Sequence, residues 1–124
     1  LGWTERMLGR ALLELGQVDE ARVRIRAAID VFVAARDVSA VTLLLLDCAI
    51  IAHRRGDKER ALRLAGAMRA MRETTGTGLA DYRVNLVEEV DQMIHDAGEQ
   101  GQRFLDEGAA LPYDEVVAYA LESV

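Results

Sequence analysis

Little in this chain of 124 residues can cross-link, kink or stiffen it. The one cysteine, Cys48, permits no internal disulfide and no multi-cysteine metal site, and it fits a reducing compartment. The one proline, Pro112, leaves most of the chain free of the strongest helix breaker. Aromatic residues make up 5% while 51% of residues are hydrophobic, so the interior must be built from Ala, Leu, Val and Ile. That composition suits closely packed helices better than a β-sandwich. No apolar stretch reaches the roughly 18 to 20 residues of a bilayer-crossing helix; the longest, Val41 to Leu46 and Cys48 to Ala52, is interrupted by Asp47. There is no initiator Met, basic n-region or signal-peptide h-region, so the sequence reads as a piece of a longer, cytoplasmic chain. Its length is that of one ordinary domain.

Charge is unevenly spread. Residues 1–78 carry 13 basic and 10 acidic side chains, whereas residues 79–124 carry 2 basic and 11 acidic, within a net charge of -6. Nucleic-acid binding needs a basic stripe to neutralise phosphates, and the acidic tail opposes one. Direct contact with DNA or RNA is therefore not expected.

What is present is an internal repeat. Gly16-Gln17-Val18-Asp19-Glu20-Ala21-Arg22 recurs 40 residues later as Gly56-Asp57-Lys58-Glu59-Arg60-Ala61-Leu62. Each copy reads as a joint between two helices, with Gly in the left-handed position that ends the first and an acidic residue in the first turn of the second. Apolar positions at helical spacing run through Trp3, Met7, Leu8, Ala11, Leu12 and Leu15, then Val18, Ala21, Ile25, Ala28, Ile29 and Phe32. The periodicity predicts helices at about 2–15, 18–35, 39–54 and 58–74, the third apolar nearly all round and the most buried. Thr74 to Gly78 is the clearest break. Beyond it, Leu79, Tyr82, Leu86, Val90, Met93 and Ile94 mark a fifth helix ended by Gly98. Phe104, Leu105 and Ala109 mark a short sixth, and Pro112 is expected as the first residue of a seventh.

Leu8-Gly9, Leu12, Gly16, Ala21 and Ala28, echoed by Cys48-Ala49, Ala52, Gly56, Ala61 and Met68, fall at the spacing of tetratricopeptide (TPR) positions. The TPR unit is about 34 residues, so the longer offset here implies longer helices or a longer link around Ala35 to Ala40. Further on, Ala61 to Ala67, Met71 to Gly76, Gly98-Glu99, Phe104, Gly108, Leu111 and Glu115 to Leu121 resemble the end of the helical-repeat region of large bacterial regulators. In those proteins an ATPase core precedes the repeats, with an adenylate-cyclase-like domain or a LuxR-type helix-turn-helix elsewhere. The resemblance implies a signalling or transcriptional setting and supplies no catalytic residue to inherit.

Residues that could carry chemistry are few. Gly76-Thr77-Gly78 has neither the lysine nor the preceding strand of a phosphate-binding loop. His53 and His95 lie far apart without a metal-binding spacing, and Cys48 occupies a near-core position with nothing adjacent to activate it. Asp47, inside an apolar helix, must pair with an arginine, reach the surface or make a polar contact in the repeat groove. Arg22, Arg24 and Arg26, with Arg60, Arg63, Arg69 and Arg72, suggest an anion-binding face, but residues two apart diverge by about 200° around a helix. A solvated face is the simpler reading, and Glu88, Glu89 and Asp91 are read as solvent-facing too.

The expectation is an all-α fold: a TPR-like α–α superhelix of antiparallel pairs over residues 1–75, closed by C-terminal capping helices over 79–124, in one continuous domain. Leu8, Gly9, Gly16, Ala21, Ala28, Ala49, Gly56, Ala61 and Met68 are its repeat-packing residues. No catalytic, metal or cofactor residue is expected. The expected role is a protein-interaction module contacting a partner or neighbouring domains, with self-association through the N-terminal helices as a two-fold dimer. A small-molecule effector domain acting on an upstream ATPase or cyclase is the alternative.

Overall fold

The computed structural model describes residues 1–76 and 84–124. Leu79 and Tyr82, and the end of the break at Gly78, lie outside the described residues. All regular structure among the described residues is helical: α1 (Gly2–Glu14), α2 (Val18–Ala34), α3 (Val38–Arg54), α4 (Lys58–Thr75), α5 (Val84–Ala109) and α6 (Tyr113–Ser123).

The chain reverses every twenty residues. Backbone φ is positive at Gly16, Arg36, Gly56 and Gly76, four positions at a constant interval. After α1, Gln17 N–H donates to Leu12 O at 2.9 Å and Gly16 N–H to Leu13 O at 3.1 Å; after α3, Asp57 N–H donates to Ala52 O at 2.9 Å and Gly56 N–H to His53 O at 3.0 Å. The joint after α2 has the same pattern, Asp37 to Phe32 and Arg36 to Val33, although its left-handed residue is an arginine. These bonds satisfy the last carbonyls of each helix and fix a tight reversal. The repeat therefore exceeds the TPR length because α2, α3 and α4 run to 17, 17 and 18 residues, with no longer link around Ala35 to Ala40. Asp37 and Asp57 cap α3 and α4 by accepting from Ala40 N–H at 3.1 Å and Arg60 N–H at 3.2 Å.

Two expectations change beyond α4. Gly98 is non-helical (φ 61°, ψ −147°), but helix resumes directly on its far side. The expected fifth and sixth helices are thus two limbs of α5, because a glycine can take that conformation without a loop. Pro112 is the N-cap of α6 and not its first helical residue: its backbone is extended (ψ 156°) while its carbonyl already accepts from Val116 N–H at 2.9 Å.

Successive helices pack in order, and α5 lies along α4. The α4–α5 crossing uses reciprocal glycines. A Cβ on Gly66 would fall 2.0 Å from Leu105 O, and one on Gly108 would fall 1.8 Å from Arg63 O. Each helix therefore rests backbone to backbone on the other, and Leu64, Leu86 and Leu105 are buried in the core. α6 then turns back and lies against α3, α4 and α2.

The uneven charge is resolved inside the molecule. Arg54 on α3 forks onto Glu89 of α5 at 2.7 and 3.1 Å and also donates to the carbonyl of Leu13 at the end of α1. Arg63 reaches Glu107 at 3.4 Å and Arg69 reaches Asp91 at 4.0 Å. Arg60 donates to Tyr119 O at 3.2 Å and Ser123 Oγ at 3.1 Å, its guanidinium 4.3 Å from the Tyr119 ring centre. Arg26 on α2 donates to Leu121 O at 3.2 Å. Glu89 is thus a half-buried partner of the basic half, which corrects its reading as solvent-facing, while Glu88 and Asp91 are exposed as expected. Such partly exposed pairs contribute about 0–1 kcal/mol each, so they set how α5 and α6 seat while apolar burial supplies most of the stability.

Candidate interaction face

Two sides of the helical array are taken by the chain itself. α5 lies along α4, and the side shared by α2, α3 and α4 carries α6. Tyr113 at the start of α6 lies close enough to the α3 cap Asp37 for that carboxylate, after burial and Asp114, to help push the phenol's pKa upward. What the chain leaves open is the outer side of α1 and α2.

That side is where apolar surface collects. Trp3 is 48% exposed, Met7 59%, Leu8 44%, Leu15 71% and Val23 67%. Apart from Leu1 at the terminus, Val38 is the one other large apolar side chain so exposed among the described residues. Contiguous exposure of this kind marks interaction surfaces. Leu8, Ala11, Leu12 and Leu15 from α1, with Glu20, Val23 and Arg24 from α2, line an open recess of about 670 Å³. A salt bridge between Arg24 and Glu5, 3.2 Å, lies beside it. Trp3 is held edge-on to Phe32 of α2, ring centres 4.7 Å apart, so its ring is oriented rather than loose.

The repeat register shows that this exposure is not a property of the helix position. Forty residues on from Thr4, Met7, Leu8 and Ala11 stand Leu44, Asp47, Cys48 and Ile51, all fully buried, whereas the α1 residues are all exposed. These positions form one stripe on an α-helix. In α3 the stripe is covered by the preceding helix pair; in α1 it is open.

Beneath the face lies a buried ion pair. Asp47 Oδ2 of α3 is 3.6 Å from Arg6 Nε of α1, both side chains almost wholly buried. Neither Asp47 oxygen has a hydrogen-bond donor among the described residues. Burial raises the Asp47 pKa from 3.8 to about 7, against the opposing pull of Arg6 and Arg10. Desolvation outweighs the pair because no hydrogen bond compensates the carboxylate. Cys48 is fully buried, and its thiol is held upward by burial first and Asp47 second, which makes it a poor nucleophile.

The repeat-packing residues divide. Ala21, Ala28, Ala49 and Ala61 are fully buried and Met68 is buried, and Gly9 meets Ile25 so closely that a Cβ would fall 2.5 Å from Ile25 Cδ1. Gly16 and Gly56 hold the joints. Leu8 instead lies on the open face, 44% exposed. The arginines weighed as an anion-binding face, and read more simply as a solvated one, are spread over different contacts: Arg24 on Glu5, Arg26 on α6, Arg60 on α6 and Arg63 on α5 and α6. His53, half-buried, lines a cavity of about 120 Å³ with Lys58, Leu62, Met93, Asp96 and Ala97, while His95 is exposed. Among the described residues no three His, Cys, Asp or Glu side chains gather as a metal site, and no helix is long and apolar enough to cross a membrane. Sequence reasoning found the apolar stripe of α1 and expected self-association through it, but not that α5 and α6 would lie on other sides of the array. Comparison with protein families, curated proteins and solved structures finds no match.

Proposed function

We propose that the chain is a non-catalytic protein-interaction module, a TPR-like helical array within a cytoplasmic bacterial signalling or transcriptional regulator, and that the outer side of α1 and α2 is its contact surface. The observation that carries this reading is the gathering of Trp3, Met7, Leu8, Leu15 and Val23 on one open side, while the α3 counterparts of Met7 and Leu8, Asp47 and Cys48, are fully buried. An interface core is built from such residues, with charges at its rim as Glu5, Glu20 and Arg24 stand here. Aromatic anchors contribute most to such contacts, which gives Trp3 the leading part. The two-fold pairing of chains expected from the sequence would use this same side.

The effector reading rests on the cavity beside His53, Lys58 and Asp96. At about 120 Å³ it is smaller than the roughly 300 Å³ at which ligand pockets begin, and the larger recess of about 670 Å³ on α1 and α2 is open to solvent, so protein contact is preferred. Photoreactive side chains at positions 8, 15 and 23, with a control at the exposed Asp114, test the choice in the native host. Discrete polypeptide adducts from the three face positions and none from the control are expected. Absence of adducts, or the same adducts from position 114, would remove the assignment.

A further inference from the structure

We infer that the open side of α1 is a seat for one more antiparallel helix pair, carried by a partner polypeptide, with apolar residues where this chain's own pair carries Arg6. The inference rests on the interaction reading above and names the kind of partner.

The argument is one of register. The joints of the first and second pairs coincide at an offset of forty residues: α1 ends at Glu14 and α3 at Arg54, α2 starts at Val18 and α4 at Lys58, and the left-handed glycines are Gly16 and Gly56. The two pairs therefore present equivalent surfaces toward the start of the array. On α3 that surface, at Leu44, Asp47, Cys48 and Ile51, is buried with α1 and α2 packed before it, and Arg6 of the covering pair meets Asp47. On α1 the equivalent surface is Thr4, Met7, Leu8 and Ala11, open. A pair seated there as α1 and α2 seat on α3 would bring its counterpart of Arg6 against Met7. A cation there would be buried without an acid, a costly arrangement, so the occupant is apolar at that point.

A second folded copy does not fit this description. The stripe with which α2 covers its neighbours, Ala21, Ile25, Ala28, Ile29 and Phe32, is already buried in its own chain. A copy could offer only the same α1 side.

The test uses the intact chain and a synthetic peptide of residues 1–37 carrying Trp3→Phe, so that only the chain's Trp3 fluoresces, and Arg6→Met. Trp3 is half-exposed, so docking shields it. The expected result is a saturable blue shift, weaker by tenfold or more in peptide affinity when Arg6 is retained, and lost in a Leu8→Glu chain whose melting temperature is unchanged. Three results would overturn the proposal. The first is no shift with either peptide. The second is a shift that survives Leu8→Glu or favours the Arg6 peptide, which means the peptide has exchanged onto α3 and Asp47. The third is sedimentation showing that the chain pairs with itself through Leu8 at the same concentrations, which makes a second copy the occupant. That third result leaves the interaction reading standing, whereas loss of the adducts at positions 8, 15 and 23 would remove the reading itself.

Discussion

Replacing Gly66 or Gly108 by alanine sets two physical effects against each other, and their magnitudes decide the sign. In an exposed helix interior alanine is favoured over glycine by about 1 kcal/mol, so propensity alone says that both variants are stabilised. At this crossing the added Cβ would fall 2.0 Å from Leu105 O or 1.8 Å from Arg63 O. Both obstacles are backbone atoms of the partner helix, so no side chain can rotate away. Normal contact requires the helices to part by more than about 1 Å, and a gap of that size forfeits a quarter to a half of the dispersion energy at each contact it opens. Overpacking typically costs about 1–3 kcal/mol and more where the backbone must move. Subtracting the propensity gain leaves an expected loss of about 2 kcal/mol for each variant, or roughly 8 °C in melting temperature for a chain of this size. Once the first alanine has separated α4 from α5 the second meets less resistance, so the double variant should lose much less than the sum of the two. Urea unfolding followed by circular dichroism measures all three. A gain of about 1 kcal/mol in either single variant, the propensity value, would refute the close crossing.

Arg36 holds a left-handed φ of 58°, which costs a non-glycine residue about 1 kcal/mol, so Arg36→Gly should raise stability by that amount; an unchanged denaturation midpoint would count against the joint. Conversely, Gly16→Val and Gly56→Val should each lose about 1 kcal/mol or more, and since a Cβ at either meets nothing within 4 Å the loss is conformational alone. Gln17 caps α2 without a side-chain bond where Asp37 and Asp57 make one, so Gln17→Asp should gain about 0.5–1 kcal/mol, read in the same assay. Asp47 has a folded pKa near 7 against an ordinary 3.8, so its contribution is fully present below about pH 4 and lost as the pH rises to 7. The stability of the parent chain relative to Asp47→Asn should therefore fall between those limits by a few kcal/mol and level off above them; a difference independent of pH would mean that the carboxylate is not desolvated.

Local order was readable in the sequence because it is set by nearby residues. Gly16 and Gly56 announce their joints, and the apolar spacing of α1 to α4 places those helices within a few residues. The joint at Arg36 was hidden because nothing about an arginine suggests a left-handed backbone; the clue was Asp37, which stands twenty residues before the cap Asp57. The return of α6 and the glycine crossing were less accessible, since each depends on residues about forty or more positions apart. The opposite charges of the two halves did carry that information. Read as surface, they suggested a solvated acidic tail; taken as a pair, Arg54 with Glu89 and Arg63 with Glu107 show one half gripping the other.

The same contacts explain why the candidate surface lies where it does. A helical pair in a repeating array has two sides to cover, one toward the pair before it and one toward the pair after. Here the second pair is covered on both, by α1 and α2 before it and by α5 and α6 after it, and the arginine contacts hold that closure in register. The C-terminal side is finished with polar and charged residues: α5 and α6 expose Glu88, Asp91, Asp96, Glu99 and Asp114. The N-terminal side has no such finish. Its exposed positions hold Trp3, Met7, Leu8, Leu15 and Val23, none of which gains from water. The asymmetry between a polar finished end and an apolar open one gives the array a direction, and the proposed partner contact falls at the open end because desolvating it is favourable while desolvating the acidic end is not.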